Sequence, residues 1–158
     1  MSASSTVPLT RFLPTEAETL SLGAELAAGL APGMVIFLSG ELGTGKTTLV
    51  RGMLRALGVT DRIKSPTFSL LELYEVSSLY LYHFDLYRFK HPDEWMDAGF
   101  REYVNVASIC LVEWPEKAGS YLPAPDLRIT MTSSDNARSV TLSDESEAGK
   151  QCLRRLRQ

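Results

Sequence analysis

Residues 40 to 47 read GELGTGKT: a glycine, four residues, a second glycine, then lysine and threonine. That spacing is the P-loop pattern, and its chemistry is the gripping of phosphate. Gly40, Gly43 and Gly45 let the backbone curl until its N–H groups point inward at phosphate oxygens, with Glu41, Leu42 and Thr44 completing the loop. Lys46 is then placed to reach β- and γ-phosphates and the Thr47 hydroxyl to ligate Mg²⁺, while Thr48 helps to start a helix whose positive end faces the anion.

A second group of reactive residues lies further along. Glu113 directly follows the apolar run SICLV, so it emerges at a strand end. In an open α/β sheet ligands bind beyond the carboxyl ends of the parallel strands, which puts Glu113 where a nucleotide-bound Mg²⁺ would be met, through a water. His83 and Asp85 stand two apart in LYLYHFD and share a face if that run is a strand. Asp85 is the candidate for chemistry, and His83 reads more simply as a packed or hydrogen-bonded histidine. Ser65, Pro66 and Thr67 place small hydroxyls on a proline-stiffened loop of the kind that senses a γ-phosphate. Trp114 and Pro115 follow Glu113. The tryptophan reads equally as a sensor packed on that loop or as a ring buried against the next helix.

These residues need elements to hold them. Thr15 and Glu18 form a capping-box pattern, with a helix predicted from there to about Leu30, where Pro32-Gly33 stops it. VIFLS (35–39) is a short apolar run typical of a buried parallel strand, and TTLVRGMLRAL is a helix closed by Gly58. FSLLELYE (68–75) and LYLYHFD (79–85) read as an antiparallel hairpin. A short helical region runs from His91 to about Tyr103, SICLV is a second buried strand, DLRITMT and RSVTLS form another hairpin, and SEAGKQCLRRLR ends the chain as a helix. Strands of both kinds with helices between them specify an α/β fold: one P-loop NTPase domain over residues 1–158, with a mixed parallel and antiparallel sheet flanked by helices. Residues 1–10, the extreme C-terminus and the tip from Ser133 to Ala137 are expected to be flexible.

Composition narrows the class. The chain is 44% hydrophobic and 22% charged, with no run approaching the ~18 apolar residues of a membrane span, which suggests a cytoplasmic protein that does not meet a membrane. A net charge of −3 argues against independent nucleic-acid binding, which needs clustered cations. The basic knot of Arg154, Arg155 and Arg157 reads as a solvated helix end. Cys110 and Cys152 read as reduced thiols. No guanine-reading Asn-Lys-x-Asp segment is present, which favours ATP over GTP.

Taken in order, GELGTGKTT, KSPTF, HFDLYR and LVEWP resemble the TsaE (YjeE) family over roughly residues 10 to 130. The resemblance implies a small bacterial ATPase required for threonylcarbamoyl modification of the adenosine beside the anticodon in certain tRNAs. It further implies that TsaD-like and TsaB-like proteins are the partners that carry out the transfer, with tRNA met only through the complex. Carried over by motif, Lys46 and Thr47 grip phosphate and Mg²⁺, Glu113 serves the metal and Asp85 is the catalytic or switch carboxylate. The resemblance also makes Trp114 important near that site and places Thr15 close to the nucleotide base. The segment after Ser133 departs most from the family pattern. Two alternatives compete: a small-molecule kinase, which would bring a cluster of arginines to clamp the transferred phosphate, and a GTPase-like switch module. Arg51, Arg55, Arg62, Arg88 and Arg101 are not clustered in sequence, and no arginine finger is evident, so hydrolysis is expected to be weak alone and stimulated by partners.

Overall fold

A computed structural model of the protein describes residues 7–41, 43–64, 66, 69–135 and 137–157. In chain order the elements are β1 (Leu9–Leu13), α1 (Glu16–Ala27), β2 (Val35–Ser39), α2 (Lys46–Leu57), β3 (Leu71–Val76), β4 (Leu79–Asp85), α3 (Glu94–Asp97), β5 (Ser108–Glu113), β6 (Leu127–Ser134), β7 (Ala137–Asp144) and α4 (Glu147–Leu156). Short 3₁₀ turns at Phe100–Tyr103 and Pro115–Tyr121 flank β5.

The strands form one seven-stranded sheet in the order β1-β7-β6-β2-β5-β4-β3. β2 and β5 lie at its centre, are apolar along almost their whole length, and run parallel to each other and to their outer neighbours β6 and β4. Such strands are covered on both faces, which is why they lack polar alternation. The β3–β4, β6–β7 and β1–β7 pairs are antiparallel, which makes the sheet mixed as the sequence implies. β3 turns into β4 through Ser77 and Ser78, both at positive φ, the geometry that matches the twist of a two-residue hairpin.

Two cores cover the sheet. On one face α1, α2 and α4 bury aliphatic side chains such as Leu22, Leu49, Met53 and Leu153. The α1–α2 approach is so close that a Cβ on Gly23 would lie 2.9 Å from the Met53 nitrogen and one on Gly52 3.0 Å from the Leu20 carbonyl carbon. The other face is aromatic: Trp95 and Phe100 pack on Phe84 with ring centroids 5.0 and 5.2 Å away.

Several boundaries depart from the sequence expectation. Thr15 caps α1, its oxygen accepting from the Glu18 N–H at 3.2 Å, but the helix stops at Ala27 instead of Leu30. There Gly29 bonds to Leu26 and Leu30 to Ala27, i to i−3 bonds that tighten the last turn before Pro32 is reached. Leu9 and Thr10, inside the stretch expected to be flexible, pair with Leu142 and Thr141 as part of the edge strand β1. The hairpin tip is also shorter than expected, since Ser134 and Ala137 are already in register. The helical region after His91 is split by Gly99 at φ 74°. Arg154, Arg155 and Arg157 are exposed at the end of α4, and Arg157 binds the Val7 carbonyl at 2.7 Å. Among the described residues no helix is long and apolar enough to cross a membrane.

Candidate functional site

β2 delivers the glycine-rich loop at the carboxyl end of the parallel strands. Gly40, Gly43 and Gly45 all hold positive φ, and Gly45 is the residue before α2, in the left-handed region with no side-chain cap. The first N–H groups of α2 are therefore left for another acceptor. Thr44 closes the loop on itself, its hydroxyl donating to the Glu41 carbonyl at 2.9 Å. Gly40 sits so tightly on β6 that a Cβ would come within 2.6 Å of the Met131 carbonyl oxygen. Thr47 and Thr48 are half-buried on the first turn of α2, and Leu42 lies outside the described residues.

Lys46 is 6% exposed, and its ammonium donates to the Gly40 carbonyl at 2.5 Å and pairs with Glu113 Oε1 at 3.3 Å. The same ammonium lies 5.0 Å from the centre of the Trp114 ring, a cation–π contact. Glu113 is placed there by register: β5 runs parallel to β2 with Glu113 opposite Leu38, one residue before the strand ends. Its second oxygen, Oε2, accepts from His83 Nε2 at 2.6 Å.

β4 completes the group. Asp85 lies opposite Glu113 in the parallel β4–β5 register, and His83 and Asp85 are both buried. Asp85 Oδ1 accepts from the Tyr87 N–H at 3.0 Å. Burial pushes the Asp85 carboxyl above its usual range, with the nearby Glu113 charge adding to the effect. Glu113 is shifted the other way: burial alone would raise it, but the His83 hydrogen bond and the charges of His83 and Lys46 outweigh burial and hold it below the usual carboxylate range. Two carboxylates at adjacent strand ends thus have opposite tendencies, one held ionised and one favouring its proton.

Trp114 follows Glu113 in the left-handed region, at φ 57°, with its ring 5.1 Å from that of Tyr87 and Pro115 opening the next turn. It is half-buried, packs against the aromatic core that includes Ala118 of the following turn, and lies beside the loop lysine. Pro66 is buried and its carbonyl accepts from Leu70 at 2.7 Å, whereas Ser65 and Thr67 lie outside the described residues. Thr15 is exposed and occupied with capping α1.

The structure therefore brings Lys46, Glu113, Asp85 and Trp114 together, and adds His83 as the direct partner of Glu113. The i, i+2 spacing of His83 and Asp85 was the one signal for that role, and it becomes decisive only with the β4–β5 register. Among the described residues no three His, Cys, Asp or Glu side chains gather as a metal cage. Mg²⁺ carried by a nucleotide needs only one or two protein ligands. An ionised Glu113 and the Thr47 hydroxyl fit that requirement.

Three comparisons bear on this arrangement. The family model described as "Threonylcarbamoyl adenosine biosynthesis protein TsaE" matches residues 13–140. Haemophilus influenzae tRNA threonylcarbamoyladenosine biosynthesis protein TsaE is 39% identical over 150 residues, covering 92% of this chain and 95% of that protein. The Bacillus subtilis protein of the same name is 39% identical over 125 residues, 78% of each chain. The crystal structure of Bacillus subtilis YdiB superposes with a TM-score of 0.81 at 29% sequence identity, covering 99% of this chain and 97% of the other. By sequence and by fold, this chain belongs to the TsaE family.

Proposed function

We propose that the protein binds Mg-ATP in the loop of residues 40–48 and hydrolyses it in support of tRNA threonylcarbamoyladenosine biosynthesis, together with TsaD-like and TsaB-like partners. The observation that carries the reading is the chain Gly40 carbonyl, Lys46, Glu113, His83, linked by 2.5, 3.3 and 2.6 Å contacts at the open end of the parallel strands.

Each residue has a role that follows from its surroundings. Lys46, held by the Gly40 carbonyl and by Glu113, exchanges those partners for the β- and γ-phosphates. Backbone N–H groups of the loop and the uncapped start of α2 take the remaining phosphate oxygens. When bound, Mg²⁺ would supply charge neutralisation to the phosphates during transfer. Thr47 and Glu113 would hold that ion, and His83 fixes the Glu113 carboxylate through Oε2, which leaves Oε1 available once Lys46 turns to the phosphates. Asp85 orients the attacking water and accepts its proton, a task suited to a carboxylate whose proton affinity burial has raised. Water oxygen attacks the γ-phosphorus, the bond to the β-γ bridging oxygen breaks, and ADP and phosphate leave. Trp114 reports the event, because its cation–π partner is the lysine that moves.

Lys46→Ala is expected to abolish ATP binding in titration calorimetry, and Glu113→Ala to remove Mg²⁺-dependent turnover while leaving binding. Unchanged ATP affinity in the lysine variant overturns the site. Nucleoside mass spectrometry of tRNA after depletion of the protein tests the pathway: retained threonylcarbamoyladenosine rejects it.

A further inference from the structure

The loop has a second cationic neighbour that none of these roles uses. Arg138 is the second residue of β7 and lies in register with Ser133 at the far end of β6 and with Leu13 of β1. Because β6 runs parallel to β2, the end of β6 is the sheet end that carries the loop. Arg138 shares a β7 face with Val140, which is buried in the core beneath α1 and α2, so its side chain rises on the α2 side. It comes to rest directly on Gly45: a Cβ there would overlap the arginine's Cδ and Nε and lie 3.1 Å from Cζ. The Arg138 Nε is shielded from solvent and has no hydrogen-bond partner. The side chain as a whole is half-buried, and an N–H of a permanently charged group left unmatched in a shielded position favours an acceptor, an anionic one most of all.

We infer that Arg138 binds the α-phosphate, the nucleoside-side end of the bound polyphosphate, and so sets affinity for ATP and ADP alike. The inference rests on the ATP-binding reading above. The choice of phosphate follows from the two sides of β2. Lys46, Glu113 and Asp85 lie toward β5 and β4, which assigns the terminal phosphate and its metal to that side. The other end of the ligand then leaves the loop past Gly45 toward β6 and β7, where Arg138 lies. A guanidinium there touches neither the bond that breaks nor the attacking water, which makes it a binding group and not an arginine finger.

Titration calorimetry with Mg-ATP and Mg-ADP, with phosphate release at saturating ATP, tests this. Arg138→Ala should weaken both nucleotides by the same factor, about 10-fold or more, as expected for a charge-assisted hydrogen bond. Its kcat should stay at the level of the unaltered protein, and Arg138→Lys should recover part of the affinity. Unchanged affinity for both nucleotides overturns the inference and leaves Arg138 a packing residue. A loss confined to ATP, or a fall in kcat at saturation, overturns it in favour of a γ-phosphate arginine. Lys46→Ala is the separate control: if it binds ATP normally the site reading itself fails, whatever Arg138 does.

Discussion

The two flanks of β2 solve different problems at one end of the same sheet. Toward β5 and β4, the carboxylates are buried and matched: Glu113 has one oxygen on Lys46 and the other on His83, with Asp85 held by the Tyr87 N–H. The unmatched atoms there are His83 Nδ1 and Trp114 Nε1, each a buried nitrogen without a partner. Toward β6 and β7, the contact is steric, Gly40 against the Met131 carbonyl, and Arg138, which lies on Gly45, has an unmatched Nε. The first flank is electrostatically preorganised, which is what a charge-developing reaction needs, because its dipoles and charges are set before the reaction starts. The second flank is shaped but incomplete, which suits a group whose partner arrives with the ligand. Changes on the first flank should therefore alter chemistry and stability together, and changes on the second should alter grip alone.

Asp85→Asn is the sharpest way to break the comparison. Turnover should fall on the order of 10³-fold, as for loss of a general base, with Mg-ATP affinity nearly unchanged in calorimetry. The same variant should melt at a higher temperature at pH 7. The Asp85 carboxyl is raised above its unfolded value, so the folded state loses stability as pH rises through that window, and the deficit persists above it. Asparagine removes the deficit. A variant that keeps its turnover rejects Asp85 as the base.

Glu113→Ala should cost about 3 kcal/mol in denaturant unfolding, since it leaves a buried ammonium without its counter-charge. Glu113 also has a pH signature of opposite sign to that of Asp85. Its folded value lies below the unfolded one, so its contribution is present above the unfolded value, near pH 4.3, and is lost as pH falls through the folded value. Glu113→Gln should flatten that acid limb in melting curves from pH 7 to 3. An unchanged limb would assign acid sensitivity to other carboxylates.

On the second flank Arg138→Ala should shift unfolding free energy by less than about 1 kcal/mol, because no hydrogen bond of its Nε is lost. A larger cost would make that flank structural. The smallest effect concerns the thiols, remote from both flanks in function. Burial pushes Cys110 and Cys152 up to about 11, so neither should be alkylated by iodoacetamide at pH 8 until the protein unfolds.

Much of this was legible before the fold. The glycine spacing and Lys46 announced the loop, and the end of SICLV on Glu113 announced the opposing carboxylate, because a strand, a loop and a helix start are local patterns. β1 was not legible as a strand. It is five residues long, leaves Phe12 exposed on its outer side, and finds its partner about 130 residues away in β7. The early end of α1 was hidden for a related reason, since Leu30 fits the helical period yet the chain must turn to enter β2.

The sequence alone determined the glycine-rich loop, the acidic strand end, the mixed α/β class and the family resemblance, all written in short contiguous runs whose backbone preferences and spacing are local. Only the tertiary structure decided that His83 holds Glu113, that Lys46 lies over Trp114 and that Arg138 covers Gly45. Those contacts depend on strand order and register. A one-residue slip in β4, β5 or β7 would turn His83, Glu113 or Arg138 to the opposite face of the sheet.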